Sequence, residues 1–311
     1  MAVQGLRWKA GLRESARGRG AGRRPEMTER HRSLIELNAA VLLWGGTALF
    51  AKWIALPPFQ ITGLRSVVAV LALLAVLRWQ RHAVSVQARR DFWLLMAGGV
   101  AMAAHWVTYF QAIQVSTVTV GILALHTYPV MTAVAEPLVF RERLHALDAA
   151  LALVVLLGVA ILVPEFSLTS NVTLGVLLGV VSAACFTARN LLTRGVVGRH
   201  GGGKVTLYQL AASAAVLAPV ALAFGEPLTP KATWQLVLLG VCFTALPHTL
   251  YTRSLAHLKA SSVGIIATLL PIYGALAAGL LLGEMPALRT VIGGGVILGA
   301  IAVETWRVVR R

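Results

Sequence analysis

The chain has 311 residues, of which 57% are hydrophobic and only 13% are charged. Soluble domains usually carry about 25% charged residues, so this composition excludes an ordinary water-soluble fold and favours a protein embedded in lipid. The net charge of +16 could indicate a nucleic-acid partner. The basic residues, however, lie before Ser33 or mostly in short gaps between apolar runs, which is typical of membrane topology signals. We therefore expect no nucleic-acid partner.

Residues 1–33 form an Arg- and Gly-rich segment that lacks the apolar stretch of a signal peptide. We expect a disordered cytoplasmic tail, and the alternative is a basic arm that binds nucleic acid or anionic lipid. The composition changes at Met27. This change favours Met27 as the true start, with residues 1–26 an over-extended reading frame.

Apolar stretches of about 20 residues recur along the rest of the chain, and each is long enough to cross about 30 Å of hydrocarbon. They are continuously apolar rather than alternating, so they predict helices and not barrel strands. We therefore predict an all-α integral membrane protein with ten transmembrane helices in the lipid bilayer. The predicted spans are 34–53, 59–78, 92–113, 118–138, 146–163, 172–191, 205–224, 233–252, 262–282 and 288–306.

The distribution of basic residues predicts the orientation of these spans. With the N-terminus inside, nearly all lysines and arginines fall on the cytoplasmic side, and only Lys52, Lys231 and Arg289 fall outside. Cytoplasmic loops of membrane proteins carry such an excess of positive charge. We therefore predict that both termini lie in the cytoplasm.

A single offset of 142 positions relates residues in the two halves of the chain. The related pairs are Pro129 with Pro271, Glu142 with Glu284, Tyr109 with Tyr251, Trp44 with Phe186, and Lys52 with Arg194. Five pairs in matching order indicate an internal repeat of five helices. Because five is odd, the second copy must enter the membrane from the opposite side. Such inverted repeats are typical of transporters, whose site lies near the midplane between the halves.

The stretch AAVLLWGGTALFAKW, Arg65 in the second span, and P-x12-E at the end of both halves together resemble the drug/metabolite transporter superfamily, EamA type. The resemblance covers about residues 34–306. It implies a first repeat at 34–163, a second at 172–306 and a short cytoplasmic C-terminus at 307–311. It also implies a homodimer that forms through the fifth and tenth spans, and export more often than uptake. The chain departs from the family pattern in two places: it has Phe186 in place of a tryptophan, and FRERL in the first half against LGEMP in the second. These departures weaken any inference of the substrate from the family.

Two charged residues within the spans are candidates for binding or coupling. Arg65 lies about seven residues into the second span, roughly 10 Å along the helix axis. It could bind a substrate carboxylate, or it could snorkel to the outer interface and guide solutes electrostatically. Glu136 lies near the inner end of the fourth span. It either pairs with Arg189 of the sixth span or serves as a protonatable site.

The repeated glutamates and prolines are candidates for a gate or a hinge. Glu142 and Glu284 end the fourth and ninth spans at opposite membrane faces. They would cap neighbouring helices or pair with nearby arginines, and the alternative is a gate. Pro129 and Pro271 each leave a backbone carbonyl without its partner, so they can bend the helix, which is useful at the centre of a transporter. The arginines within reach are Arg141, Arg143 and Arg289.

Aromatic and histidine residues predict a solute cavity between the halves. His105 and Tyr109 are four apart and therefore share one helix face. Residues related by an inverted twofold axis converge where the halves meet, so we predict a central cavity lined by spans 1, 3, 6 and 8. The predicted lining residues are Trp44, His105, Tyr109, His126, Phe186, His248 and Tyr251. For any one of them taken alone, simple packing is the alternative.

The same residues suggest a mechanism. Aromatic walls hold a cation by about 0.5–2 kcal/mol. Histidine titrates near neutral pH, so His105 or His126 could couple solute movement to protons. Glu136 is the alternative coupling residue if burial favours its protonated form.

The inventory of motifs favours transport over catalysis. The sequence contains no H-E-x-x-H, no G-x-S-x-G and no ATP-binding P-loop, and its two aspartates, Asp91 and Asp148, lie near helix ends. Cys185 and Cys242 show no metal-ligand spacing, so we expect buried thiols and neither a metal nor another cofactor. We predict a secondary active transporter, not an enzyme, that exports small organic metabolites such as amino acids or amines across the bacterial inner membrane. A membrane-embedded enzyme and a non-transporting scaffold are the alternatives.

Overall fold

The computed structural model describes residues 24–81, 83–141, 143–165, 167, 169–254, 258, 266–267 and 269–310. Within these ranges every regular element is helical. The helices are α1 (Arg24–Thr47), α2 (Phe50–Trp53), α3 (Pro58–Trp79), α4 (Arg89–Val115), α5 (Val118–Leu125), α6 (Tyr128–Phe140), α7 (Ala146–Leu162), α8 (Asn171–His200), α9 (Gly202–Phe224), α10 (Pro230–Gly240), α11 (Leu246–Ser254), α12 (Leu270–Leu282) and α13 (Leu288–Arg310). A π-helical turn, Val241–Ala245, joins α10 to α11.

Seven segments of the described chain are long and apolar enough to cross a membrane. They are His31–Trp53, Pro58–Trp79, Arg89–Val115, Val118–Phe140, Asn171–His200, Gly202–Phe224 and Pro230–Tyr251. Three shorter apolar helices, Ala146–Leu162, Leu270–Leu282 and Leu288–Val303, lie at the remaining predicted spans. The prediction of a helical protein with many apolar, membrane-length segments is confirmed, and length and composition support seven of the ten predicted crossings.

The first helix begins at Arg24, earlier than the predicted bound of 34. The Arg32 guanidinium pairs with the Glu36 carboxylate one turn later, at 3.2 Å between Nε and Oε1. Ser33 is buried. The prediction of a disordered tail up to residue 33 is therefore wrong for its last ten residues, and residues 1–23 lie outside the described part of the chain.

The predicted fourth span is two helices, α5 and α6, separated at His126 and Thr127. Pro129 occupies the first turn of α6, where proline is tolerated because that N–H has no partner within the helix. Side chains at the break add hydrogen bonds to carbonyls that also accept backbone N–H groups. The Thr127 hydroxyl donates to the Ala124 carbonyl at 2.9 Å, and His126 Nδ1 lies 2.8 Å from the Ile122 carbonyl. The proline thus begins a half-helix after a break, instead of bending a continuous one.

The ends of α6 and α12 keep the offset of the sequence repeat. Tyr128–Phe140 and Leu270–Leu282 begin and end at equivalent positions, and each carries proline in its first turn. Each helix also ends in a left-handed residue, Arg141 with φ 57° and Gly283 with φ 68°. A left-handed residue stops a helix and is easiest for glycine. The repeated prolines and left-handed end residues therefore give the two half-helices the same length at equivalent positions in the chain.

Helices from the two halves pack reciprocally. The first helix of the chain, α1, packs against α11 and α12, and its counterpart α8 packs against α4, α5 and α6. The equivalent helices α3 and α9 pack against each other, and so do α7 and α13. Each half is therefore completed by helices of the other, and the large buried side chains Phe50, Phe110 and Ile122 lie in the core between them.

Glycines permit the close helix contacts that this packing requires. A Cβ on Gly99 would lie 2.7 Å from the Gln209 carbonyl oxygen, and one on Gly63 would lie 2.9 Å from the Leu217 backbone. Two Gly-x3-Gly spacings, at 175–179 and 295–299, differ in their surroundings. A Cβ on Gly175 or Gly179 would collide with a neighbouring helix of the same chain, whereas Gly295 and Gly299 face open space.

Candidate functional site

Arg65 is fully buried in the N-terminal half of α3, with 0% of its surface exposed. Its guanidinium carbon lies 3.7 Å from the centroid of the Trp106 ring and 5.1 Å from that of Phe110. None of its three side-chain nitrogens has a hydrogen-bond partner among the described residues. The side chain therefore does not snorkel to the interface in this conformation. The predicted alternative, in which Arg65 guides solutes from the outer interface, does not fit this position.

His105 joins α4 to α8 through a reciprocal pair of hydrogen bonds with Ser182. The Ser182 hydroxyl donates to the His105 carbonyl at 2.8 Å, and His105 Nδ1 lies 2.8 Å from the same hydroxyl oxygen. The imidazole also contacts the Phe186 ring at 4.8 Å and the Tyr109 ring at 6.0 Å between centroids. These contacts place three of the predicted lining residues in one aromatic group, which Tyr128 extends by its contact with Phe186 at 4.7 Å.

Trp44, His248 and Tyr251 form a second aromatic group between α1 and α11. The Trp44 ring lies 5.0 Å from the His248 ring and 5.2 Å from the Tyr251 ring, centroid to centroid. The π-helical turn positions this group, because His248 Nδ1 lies 2.6 Å from the Thr244 carbonyl within the turn. Such turns occur often at functional sites.

Arg189 lies between the two aromatic groups. Its guanidinium carbon is 5.3 Å from the Phe186 ring centroid, and it is within Coulombic range of the phenols of Tyr128 and Tyr251. Its Nε donates to Gln209 Oε1 at 2.8 Å, and Nη1 donates to the Asn190 side chain at 3.3 Å. Unlike Arg65, this guanidinium has neutral hydrogen-bond acceptors.

The hydrogen bonds of the three predicted histidines fix which ring nitrogen carries the proton. Carbonyl oxygens only accept, so His126 and His248 donate from Nδ1 to Ile122 and Thr244. The Ser182 hydroxyl uses its proton on the His105 carbonyl, so His105 also donates from Nδ1. In all three neutral rings Nε2 is therefore the atom that can accept a proton.

The predicted lining residues thus fall into two groups, and His126 joins the first of them only through Tyr128. His126 is buried at the break between α5 and α6 and contacts Tyr128 at 5.9 Å between ring centroids. Tyr109 is almost fully buried in the core. The remaining members are partly exposed, and these are Trp44, Phe186, His248 and Tyr251.

The predicted partner of Glu136 is wrong. Its carboxylate pairs with Arg194 at 2.8 Å, whereas Arg189 bonds to amide side chains. Glu136 and Arg194 are both partly exposed, so the pair lies at the rim of the bundle and not at its centre.

Glu284 caps a helix of the other half. Its carboxylate accepts the backbone N–H of Val118, the first residue of α5, at 2.8 Å. This contact matches the capping alternative for the repeated glutamates. Glu142 lies outside the described residues, so its role stays a prediction.

Contacts between the halves differ at the two ends of the bundle. At one end Gln60 and Glu226 exchange two hydrogen bonds: Gln60 Nε2 donates to the Glu226 carbonyl at 2.7 Å, and the Glu226 N–H donates to Gln60 Oε1 at 2.9 Å. At the other end the contacts include ion pairs. They join Arg194 to Glu136, Arg199 and His200 to Asp91, and Arg253 to Glu36.

Sequence reasoning did not place Trp106, Tyr128 or Arg189 among the residues of the site. Trp106 directly follows His105, and consecutive residues of a helix point in different directions. The prediction grouped residues that share a helix face with His105, so it did not include Trp106. Arg189 was named only as a possible partner of Glu136, because it lay two residues from the end of the predicted sixth span at 191. The helix α8 continues to His200, about three turns further, which places Arg189 inside the bundle.

The described cysteines and acidic residues do not form a metal site. Cys185 and Cys242 are free and only partly buried, which corrects the expectation of buried thiols. In the searched part of the chain no group of three His, Cys, Asp or Glu side chains gathers as metal ligands do.

Comparison with known proteins identifies the family. The profile of the EamA-like transporter family matches residues 33–163 and again residues 173–305. The chain belongs to the EamA-like transporter family. The two matched segments together cover most of the chain, and each contains one of the equivalent half-helices α6 and α12.

Several EamA-like relatives are named as transporters. An uncharacterized transporter, YxxF, from Bacillus subtilis (strain 168) is 22% identical over 294 residues, 91% of this chain and 93% of its own. The pseudopaline exporter CntI of Pseudomonas aeruginosa (strain UCBPP-PA14) is 27% identical over 246 residues, 79% of this chain and 85% of its own. A solved crystal structure of another protein, 21% identical, covers 89% of this chain and 98% of its own with a TM-score of 0.63, which shows a shared fold.

Proposed function

We propose that this EamA-like protein is a secondary active transporter that exports small organic metabolites, such as amino acids or amines, by alternating access. The ten spans would form two inverted five-helix repeats, 34–163 and 172–306. The protein would reside in the bacterial inner membrane with both termini in the cytoplasm, and the chain would not be an enzyme.

The observation that carries this proposal is the reciprocal packing of equivalent helices. α1 packs against α11 and α12 as α8 packs against α4 and α6, while α3 pairs with α9 and α7 with α13. Transporters with inverted repeats place their solute site where such halves meet and move one half against the other. Here the aromatic groups around His105 and His248 lie at that junction.

Export is favoured by one relative and by the differing ends of the bundle. CntI, 27% identical, is named an exporter. The Gln60–Glu226 hydrogen bonds would close the outer end of this conformation. The inner end would be held by partly exposed ion pairs, which are individually weak and screened by salt. A solute arriving from the cytoplasm would therefore meet the more easily opened end.

Coupling to protons would act at a histidine Nε2. His105 and His248 both lie between α-helices of opposite halves and both use Nδ1 as a donor to the protein. Protonation at Nε2 would add a donor and a charge at the junction, and could change how tightly the halves close. Glu136, paired with Arg194 at the rim, would then hold the inner end rather than carry the proton.

Solute flux in proteoliposomes tests the proposed function. Purified full-length protein would be reconstituted and offered a panel of amino acids, amines and small carboxylates, with and without a proton gradient. We expect saturable flux of at least one solute class, and loss of that flux in His105→Ala, Tyr109→Ala and Tyr251→Ala proteins that still insert. Unchanged flux in all three variants would refute the cavity assignment. Absence of flux for the whole panel would refute the transport proposal.

A further inference from the structure

We propose that Arg65 is the anchor for a carboxylate of the transported solute, so that the solutes of this protein are organic anions or zwitterions rather than simple amines. The inference rests on the proposed transport function and narrows its substrate class. It is carried by a buried guanidinium whose hydrogen-bonding capacity is unused.

The environment of Arg65 is unusual for a structural arginine. Removing a cation from water costs on the order of several kcal/mol in proteins. A buried cation is therefore usually surrounded by an acidic group or by several hydrogen-bond acceptors, which offset that cost. Nε, Nη1 and Nη2 of Arg65 have no partner among the described residues. The aromatic face of Trp106, 3.7 Å away, offsets only part of that cost.

The acidic side chains that form ion pairs in the described chain bind other arginines. Glu36 pairs with Arg253, Asp91 with Arg199, and Glu136 with Arg194. Each of these arginines is about half exposed at the side chain, in contrast to Arg65. These three carboxylates are therefore engaged by arginines other than Arg65, and the buried guanidinium is left for another acceptor.

A second guanidinium adds to the positive charge at the junction. Arg65 and Arg189 both lie within Coulombic range of His105 and of His248. The acceptors found for Arg189 are neutral amide oxygens, so its charge is not cancelled by them. Two positive charges that converge on the same two aromatic groups favour an anionic ligand and disfavour a cationic one.

The chemistry of the guanidinium selects a carboxylate. Its planar fork of N–H donors matches the two oxygens of a carboxylate and can still stack on an aromatic ring. Trp106 and Phe110 cover Arg65 within 3.7 and 5.1 Å, which leaves the N–H edge for the ligand. Because Arg65 is closed off in this conformation, the carboxylate would reach it when the inner ends of the halves separate.

The test compares ligands that differ only in charge. Thermal unfolding of the purified full-length protein in detergent would be followed with L-phenylalanine, L-phenylalaninamide, phenethylamine and 3-phenylpropanoate, and with the other amino acids and C2–C6 carboxylates. A ligand that binds the folded state raises Tm. We expect carboxylates to raise Tm and to lose at least about tenfold in affinity when the carboxylate becomes an amide, as for loss of a charge-assisted hydrogen bond.

Arg65→Gln should lose the same carboxylate response by at least about tenfold, and Arg65→Lys should keep part of it because the charge remains without the fork. Arg78→Gln is the matched control, since it makes the same change in charge at an exposed position of the same helix. Without ligand, Arg65→Gln should unfold at the same temperature as the parent or higher, because a structural ion pair is not being broken. If Arg65→Gln does not fold, the ligand series on the parent protein and on Arg65→Lys still tests whether Arg65 binds a carboxylate.

Three results would overturn the inference: no carboxylate in the panel raises Tm of the parent, amines bind as tightly as their carboxylate analogues, or Arg65→Gln binds carboxylates as the parent does. Flux measurements separate this from the proposed function. Flux of amines through both parent and Arg65→Gln would keep transport and refute the anchor. Carboxylate binding that depends on Arg65, without flux, would keep the anchor and refute transport.

Discussion

The Arg65 guanidinium carbon lies 3.7 Å from the centre of the Trp106 ring, with no described acceptor for its nitrogens. The two residues come from α3 and α4 of the first half. Their contact keeps a charge in the interior that the protein itself does not neutralise. The energetics of this pair can be measured without knowing the solute.

We predict an energetic coupling between Arg65 and Trp106. Trp106→Leu should lower the free energy of unfolding by more in the parent than in an Arg65→Met background, with a coupling of about 1–2 kcal/mol for a desolvated cation–π contact. Chemical unfolding of the four proteins of the double-mutant cycle in detergent measures it. Additive effects of the two substitutions would show that the proximity of the two groups contributes nothing.

We predict that Gly158 is required for the pairing of α7 with α13. A Cβ on Gly158 would lie 2.7 Å from Ile297 Cγ1 and 3.1 Å from the Gly293 carbonyl oxygen. Gly158→Ala should therefore destabilise the protein by about 1–3 kcal/mol, as overpacking does. Gly299→Ala is the control on the partner helix, because nothing lies near that position, and it should be neutral or slightly stabilising. Equal Tm values for the two variants would contradict the close approach of these helices.

We predict that Glu284 acts as a helix cap. Glu284→Ala removes the acceptor of the Val118 N–H, so it should cost about 0.5–2 kcal/mol of unfolding free energy. Glu284→Gln keeps a side-chain oxygen and should cost less. Exposed Glu226→Gln makes the same change in charge near the same end and should leave stability unchanged. A gate would behave differently, because Glu284→Ala would then change solute flux severalfold with little effect on Tm.

We predict that the Gln60–Glu226 hydrogen bonds hold one end of the halves together. Gln60→Ala removes both bonds, because both are made by the side-chain amide of Gln60 to backbone groups of Glu226. Hydrogen exchange followed by mass spectrometry should show faster exchange both around residue 60 and around residue 226. Gln114→Ala, which removes a bond to Leu56 within the first half, should affect only its own surroundings. Exchange around residue 226 that matches the parent in Gln60→Ala would exclude this role.

Much of the fold followed from local patterns in the sequence. Continuous apolar runs predicted membrane-length helices, and the described chain is helical throughout its regular elements. The repeated prolines placed Pro129 and Pro271 at equivalent points, and both lie in the first turn of equivalent half-helices. These features depend on residues close together in the chain, whose effects on the backbone are set locally.

The site was predicted less completely. Seven aromatic and histidine residues were predicted to line one cavity, and among them His105 contacts Phe186 and Trp44 contacts Tyr251. The sequence did not show that these residues form two separate groups, nor that Arg189 lies between them. Which neighbours touch depends on how far each helix is rotated about its axis, and apolar composition that is similar all round a membrane helix does not record that rotation.

Composition, the 142-position offset and the positions of proline were sufficient to determine an all-helical, internally repeated membrane protein. Only the tertiary structure decided the partners of the charged side chains: Arg194 for Glu136, the Val118 N–H for Glu284, and an aromatic ring without an acceptor for Arg65. The physical reason is that a long charged side chain can reach several helices. Its partner is set by helix crossing and depth, which residues far apart in the chain determine together.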